Sequence, residues 1–180
     1  MPETDMEREL AWPMWIGGGI SYKIMDNLTI AFDAQFSQWS QTEDSITTDY
    51  AKWNTTLDQL APGSRTIRMH WVDALQIRFG LQYEFNESLA FRAGYYNDPA
   101  PAPDSTLNIL FPSMTYNALT FGVGYILMDD LNLDLAFEYL VGADREITLE
   151  YYSKHRDAMP GTHRTDIMAV NLGLNYILFK

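Results

Sequence analysis

The chain has no cysteine among its 180 residues, so neither a disulfide framework nor thiol chemistry is open to it. Basic residues are scarce: 12 Lys and Arg face 24 Asp and Glu, for a formal net charge of −12. No basic stripe exists to release counterions from a phosphate backbone, which argues against a nucleic-acid partner. No stretch approaches the ~18 apolar residues that a membrane-crossing helix needs. That excludes a helical span only, because transmembrane strands are short and alternate. The first residues, Met1 to Glu9, are acidic and lack the basic start and apolar run of a secretory signal. For an exported protein, Met1 would then be a mature start or an internal cut. His70, His155 and His163 are scattered without ligand spacing, so no metal site is expected. Gly-x-Ser-x-Gly, a phosphate loop and a Ser/His/Asp set in strand–turn–helix context are all missing. The sequence therefore predicts a non-enzyme that uses no cofactor.

What is present is a repeated word, Gly-x-x-Tyr, at Gly19–Tyr22, Gly80–Tyr83, Gly122–Tyr125 and Gly173–Tyr176. In the first three copies a Leu follows six residues after the Tyr, at Leu28, Leu89 and Leu131. Short polar breaks separate them: Asp26-Asn27, Asn86-Glu87 and Asp129-Asp130. The flanks alternate with period two, a strand signal. Leu28, Ile30, Phe32, Ala34 and Phe36 share one face; Thr29, Asp33, Gln35 and Ser37 share the other. Trp71 to Phe85 alternates in the same way, and so do Leu89 to Tyr96, Leu119 to Tyr139 and Val170 to Leu178.

Matching the apolar faces pairs Ile24 with Leu28, Phe85 with Leu89 and Leu127 with Leu131. Each pairing predicts a three-residue hairpin loop ending in a left-handed residue, Asn27, Ser88 or Asp130. Carried inward, this register sets Asp33 opposite Gly19, Asp134 opposite Gly124, Gly80 opposite Gly94, and Arg92 opposite Gln82. One face is then all Leu, Phe and Tyr, and the other mixes glycine with charge. A soluble core suits neither face.

Seven strands are predicted, starting near 13, 28, 69, 89, 115, 131 and 166. Their connections alternate between short turns and the long loops 41–68, 97–114 and 142–164. Short turns at one end and long loops at the other mark an outer-membrane barrel. The fold expected for residues 1–180 is thus all-β: one antiparallel transmembrane β-barrel segment with periplasmic turns and extracellular loops. Trp12, Trp15, Trp39, Trp71, Tyr95, Tyr116 and Tyr139 lie towards strand ends, as interfacial girdles do. The competing reading is a soluble antiparallel sheet with one wet face, acting as a binding module.

Several strings resemble the C-terminal half of the FadL / OmpP1 / TodX family of outer-membrane transporters. Trp12-Pro13 is followed by Gly19-Ile20-Ser21-Tyr22-Lys23 and the run from Asp26 to Ser40. Arg78-Phe79-Gly80 precedes Phe91-Arg92-Ala93-Gly94-Tyr95-Tyr96-Asn97-Asp98-Pro99. Gly122-Val123-Gly124-Tyr125 precedes Asp130 to Ala136 and Glu138-Tyr139. The resemblance implies passive transport of long-chain fatty acids or other hydrophobic compounds across the bacterial outer membrane. It also implies a fourteen-stranded barrel with an N-terminal hatch, of which seven strands would be half. The expectation is a C-terminal segment, a truncated product or half of an assembly, completed by an N-terminal half or by self-association. Its other partners would be membrane lipid and a hydrophobic ligand. The chain ends Phe179-Lys180, where such barrels usually finish on an aromatic residue. A structural or adhesive barrel without transport stays open as the alternative.

Two sets of residues are candidates for ligand contact. Arg78 and Arg92 lie on the polar face of neighbouring strands, where a guanidinium suits a carboxylate. The competing role is pairing with Glu84, Asp33 or Asp134 to hold the wall. In loop 41–68, Tyr50, Trp53, Leu57 and Leu60 recur as one stripe of a helix that Pro62-Gly63 would stop. Such a stripe would either capture a hydrophobic ligand or dock on neighbouring loops. Residues 97–105 are a Pro-rich extended connection expected to shape the barrel mouth.

Overall fold

The computed structural model describes residues 5–7 and 11–176. Leu178, Phe179 and Lys180, together with most of the acidic N-terminus, lie outside the described residues. Among the described residues there are seven long strands: β1 (Met14–Met25), β2 (Leu28–Gln38), β3 (Ala74–Glu84), β4 (Leu89–Asp98), β5 (Tyr116–Met128), β6 (Leu131–Gly142) and β7 (Ile167–Tyr176). They form one antiparallel sheet in which every strand pairs with its sequence neighbour. The sheet is open, with β1 and β7 at its edges.

The register inside the strands is the one that the alternation predicts. Gly19 faces Asp33, Gly124 faces Asp134, Gly80 faces Gly94 and Gln82 faces Arg92. The turns differ. Among the described residues, His70 is the only non-glycine with positive φ, at 45°, so Asn27, Ser88 and Asp130 are not left-handed. In two hairpins the register slips beside the turn, so that Met25 pairs with Leu28 and Met128 with Leu131. A bulge takes up the extra residue there and leaves Asp26-Asn27 and Asp129-Asp130 as two-residue turns. In the third hairpin the Asn86 side chain accepts from the amides of Ser88 and Leu89, both at 2.9 Å. This Asx turn closes the loop without a left-handed residue.

Strand β3 begins at Ala74, not near 69. The positive φ of His70 breaks the extended path. Trp71 instead packs edge-on against Trp39, with centroids 4.6 Å apart, and against Phe111 at 6.0 Å.

The apolar face of the sheet is uncovered. Phe121 is 55% exposed and Leu172 73% exposed, though both sit inside strands. In water such a surface is a large unburied apolar patch, whereas in a bilayer it is the lipid contact. The buried hydrophobic residues are instead almost all in the long connections, which span 39–73, 99–115 and 143–166. They are Ile46, Met69, Ala102, Leu107, Met114, Ile147 and Ala158, with Ala118 the exception in a strand.

The loops carry their own structure. Ser45–Thr47 pairs with Thr66–Arg68, Arg145–Ile147 with Gly161–His163, and Met6–Glu7 with Asp49–Tyr50. Two short helices follow, α1 (Asn54–Leu60) and α2 (Leu149–Lys154). The expected stripe helix is therefore shorter than its spacing suggests. Tyr50 is in a strand pair with Met6, and Trp53 caps α1 from outside. The Asn54 side chain accepts from the Tyr50 amide at 2.8 Å, and this local bond turns the chain before the helix begins.

Candidate functional site

The polar face of the sheet carries a ladder of side-chain contacts. Arg92 of β4 reaches across β5 to Asp134 of β6, Nη1 to Oδ1 at 2.6 Å. Its Nε donates to Gln82 Oε1 at 3.0 Å, and Gln82 passes a bond to Glu84 at 3.4 Å. The long reach is possible because β5 places glycine in between. A Cβ on Gly124 would lie 2.9 Å from Asp134 Oδ1 and 3.0 Å from Arg92 Nη1. Further along the same face, Tyr96 donates to Glu138 at 2.7 Å, again across β5. Arg92 thus has the wall-holding partners expected for an interior charge.

Arg78 of β3 is different. Its Nε donates to Gln76 Oε1 at 2.6 Å and its Nη2 to Gln35 Oε1 at 3.2 Å. Among the described residues it forms no ion pair, although Asp33 is its register partner on β2. Its guanidinium ends on neutral amides, beside a hollow.

That hollow, of about 450 Å³, lies where the polar face meets the loops. Strand side chains form its floor: Gln35, Gln76, Arg78 and Asp98. Its upper walls are Trp15, Trp39 and Tyr116, with Pro99, Pro101, Pro112 and Met114 of the second loop. The composition is an apolar rim over a polar floor with one cation and one carboxylate. Such a mixture orients a mostly hydrophobic molecule by a few placed polar groups.

Trp15 and Tyr116 turn inwards here, away from the lipid-side position expected of girdle residues, whereas Tyr95 stands on the opposite, uncovered face. Tyr50, Trp53, Leu57 and Leu60 are not among the lining residues. They lie in the first loop, with Leu60 80% exposed and the other three half-buried.

The side chains that brace the long loops were not visible in the sequence. Arg65, with a side chain 14% exposed, makes a bidentate pair with Asp58 at 2.8 and 2.9 Å and donates to the Thr48 carbonyl at 2.9 Å. Its bond to Asp58 holds that exposed carboxyl below its usual range. Arg145 binds the second loop, and Arg68 pairs with Asp157 at 3.5 Å between the first and third loops. Thr106 Oγ1 donates to the Met69 carbonyl at 2.5 Å, joining the second loop to the first. Apart from Arg65–Asp58, seven residues apart, these contacts join residues far apart in sequence, and no local pattern announces them.

Among solved structures, the fold is similar to a crystal structure of a Pseudomonas aeruginosa FadL homologue, with a TM-score of 0.64 and 17% identity over 91% of this chain and 35% of that one. It is similar as well to the CymD monoaromatic hydrocarbon channel, with a TM-score of 0.61 and 16% identity over 96% of this chain and 38% of that one. The Pseudomonas putida toluene transporter TodX gives a TM-score of 0.61 and 16% identity over 96% of this chain and 36% of that one. The chain thus spans little more than a third of the length of these structures. Comparison with curated proteins gives no match. The family model described as outer membrane protein transport protein (OMPP1/FadL/TodX) matches residues 3–177. On that match and on its lipid-ready sheet, the chain belongs to the OMPP1/FadL/TodX family and is part of an outer-membrane β-barrel.

Proposed function

We propose that this chain supplies part of the wall and mouth of a passive outer-membrane channel for small hydrophobic compounds. Under this reading the loops 41–68, 97–114 and 142–164 are extracellular and the short turns periplasmic. A ligand enters from the loop side, rests on the aromatic and proline rim, and moves onto the polar face. The observation that carries the reading is the hollow of about 450 Å³ beneath the loops, with its apolar rim and the carboxylate-free Arg78. Trp15, Trp39, Tyr116 and Met114 receive the hydrophobic body, and neutral aromatics fit that rim without further contacts. Long-chain fatty acids fit with the carboxylate on Arg78, which is the finer part of the proposal. Arg92 holds the wall through Asp134.

The test is saturable quenching of tryptophan fluorescence by bromobenzene and by a terminally brominated dodecanoate, on purified protein in detergent. Both quenchers are expected to saturate on the unmodified chain. Arg78→Gln removes the charged hydrogen bond and is expected to weaken the dodecanoate about tenfold, with bromobenzene unchanged. Non-saturable quenching by both would sink the channel-mouth reading and favour a structural barrel. An equal response of both ligands to Arg78→Gln would remove the fatty-acid part alone.

A further inference from the structure

We propose that Arg145 is the positioning residue of the mouth, a tie that draws the two legs of the second loop together and so sets the shape of the hollow. This inference rests on the mouth reading above. Arg145 begins the short strand Arg145–Ile147 of the third loop, and its side chain is 12% exposed. Its guanidinium spends donors on three partners. Nη2 donates to the Ala102 carbonyl at 2.9 Å, and Nη1 to the Ser113 carbonyl at 2.7 Å. Nε and Nη2 both reach Asp104 Oδ1, at 2.8 and 2.6 Å.

Ala102 and Ser113 are on opposite legs of the second loop. Two further hydrogen bonds run between the legs: the Ala102 amide donates to Ser113 Oγ at 3.3 Å, and the Ala100 amide to Thr115 Oγ1 at 3.0 Å. Pro99, Pro101 and Pro103 bring no amide hydrogen to this stretch. A ladder of the usual kind is therefore not available, and a side chain from another loop takes its place. Two residues on, Ile147 packs with Leu107 and Met114 in the buried cluster of the loops. The same short strand thus supplies both the polar tie and the apolar wedge.

The consequence for the hollow is direct. Pro99, Pro101, Pro112, Ser113 and Met114, five of its lining residues, come from the two legs that Arg145 joins. A planar fork with five donors in fixed geometry can bridge two carbonyls and a carboxylate together; a lysine ammonium cannot reach all three in that arrangement. Arg65 makes a similar fork within the first loop but touches no residue of the hollow, so it is a matched control.

The experiment compares Arg145→Ala, Arg145→Lys and Arg65→Ala in the full chain, with three readouts: bromobenzene quenching, amide hydrogen exchange, and heat-modifiable gel migration. Both Arg145 variants are expected to weaken saturable quenching about tenfold and to speed exchange over residues 99–115, with migration of the folded band unchanged. Arg65→Ala is expected to leave quenching and the 99–115 exchange within twofold of the unmodified chain. Quenching within twofold for Arg145→Ala, or an equal loss for Arg65→Ala, overturns the proposal. So does restored affinity in Arg145→Lys, since any cation would then serve. Absence of saturable quenching in the unmodified chain overturns the mouth reading itself, and this role with it.

Discussion

Gly142 and Gly18 are alike as letters and unlike as sites. A Cβ on Gly142 would run into the backbone of Thr165, whose carbonyl carbon would lie at 3.1 Å and amide nitrogen at 3.2 Å. Backbone cannot swing aside as a side-chain end can. Gly142→Ala is therefore expected to cost about 1–3 kcal/mol, the range for forcing volume into a packed site. At Gly18 a Cβ meets nothing within 4 Å. Gly18→Ala is expected to be neutral or to stabilise by up to about 1 kcal/mol through the unfolded chain. Urea titration of the protein in lipid vesicles reads both; equal losses would show that close approach is not what fixes Gly142. The register drawn from the repeated hairpins led to Gly19 and Gly124, whose crowding partners include the ends of Asp33, Asp134 and Arg92. Gly142 stands outside any such word, and its partner is 23 residues away, so the sequence was silent about it.

At the scale of elements, the join between β6 and β7 is held by a carboxylate. Asp166, just before β7, accepts from the Gly142 amide at 3.0 Å and from Arg164 Nε at 3.1 and 3.2 Å. The Arg164 hydrogen bond, then the Gly142 amide, hold its carboxyl below the usual range. The sign follows from the direction. A carboxyl with a lower pKa folded than unfolded favours the fold above its unfolded pKa of about 3.9, and this support is lost as pH falls through the folded value. Amide exchange at Gly142 is accordingly expected to accelerate, relative to the strand interior, as pH falls below about 4. Asp166→Asn removes the titration, so its exchange should be fast at both ends and flat with pH. A step that persists in that variant would assign it to another group. The strands themselves were legible, because period two repeats over ten or more residues in each. The start of β3 was not: residues 69–73 alternate well enough, but Trp71 is drawn off by Trp39, at the far end of its own loop, and by Phe111 of the second loop. The helix of the first loop is present over Asn54–Leu60 and ends before Pro62-Gly63, but its stripe is cut short at the start, since Tyr50 found a strand partner at Met6.

For the molecule as a whole, the question is which face meets lipid. The opposite arrangement, with the apolar face inside and the polar face in water, fits the same alternation and the same register. The sequence separates the two only through its loops and through the charge on one face. The structure adds that Arg92 pairs with Asp134, and Tyr96 with Glu138, on the polar face, while the other face stays uncovered. Neighbouring residues of β5 make a clean test. Phe121 is at mid-strand on the uncovered face, and Thr120 is on the polar face, paired with Glu138 on one side and Gly94 on the other. An arginine at Phe121 would lie near the bilayer midplane, where it costs about 2–4 kcal/mol. At Thr120 the same arginine has a carboxylate neighbour at Glu138 and replaces the side chain that already lies over Gly94 beside a hollow of the polar face, so it should be tolerated within about 1 kcal/mol. Vesicle refolding monitored by heat-modifiable migration is expected to fall sharply for Phe121→Arg and to stay near the unmodified level for Thr120→Arg. The reverse order would put lipid on the glycine face and overturn the barrel orientation. With the expected order, the hollow above Arg78 opens into a lumen and not onto the bilayer, as the proposed route for a ligand requires.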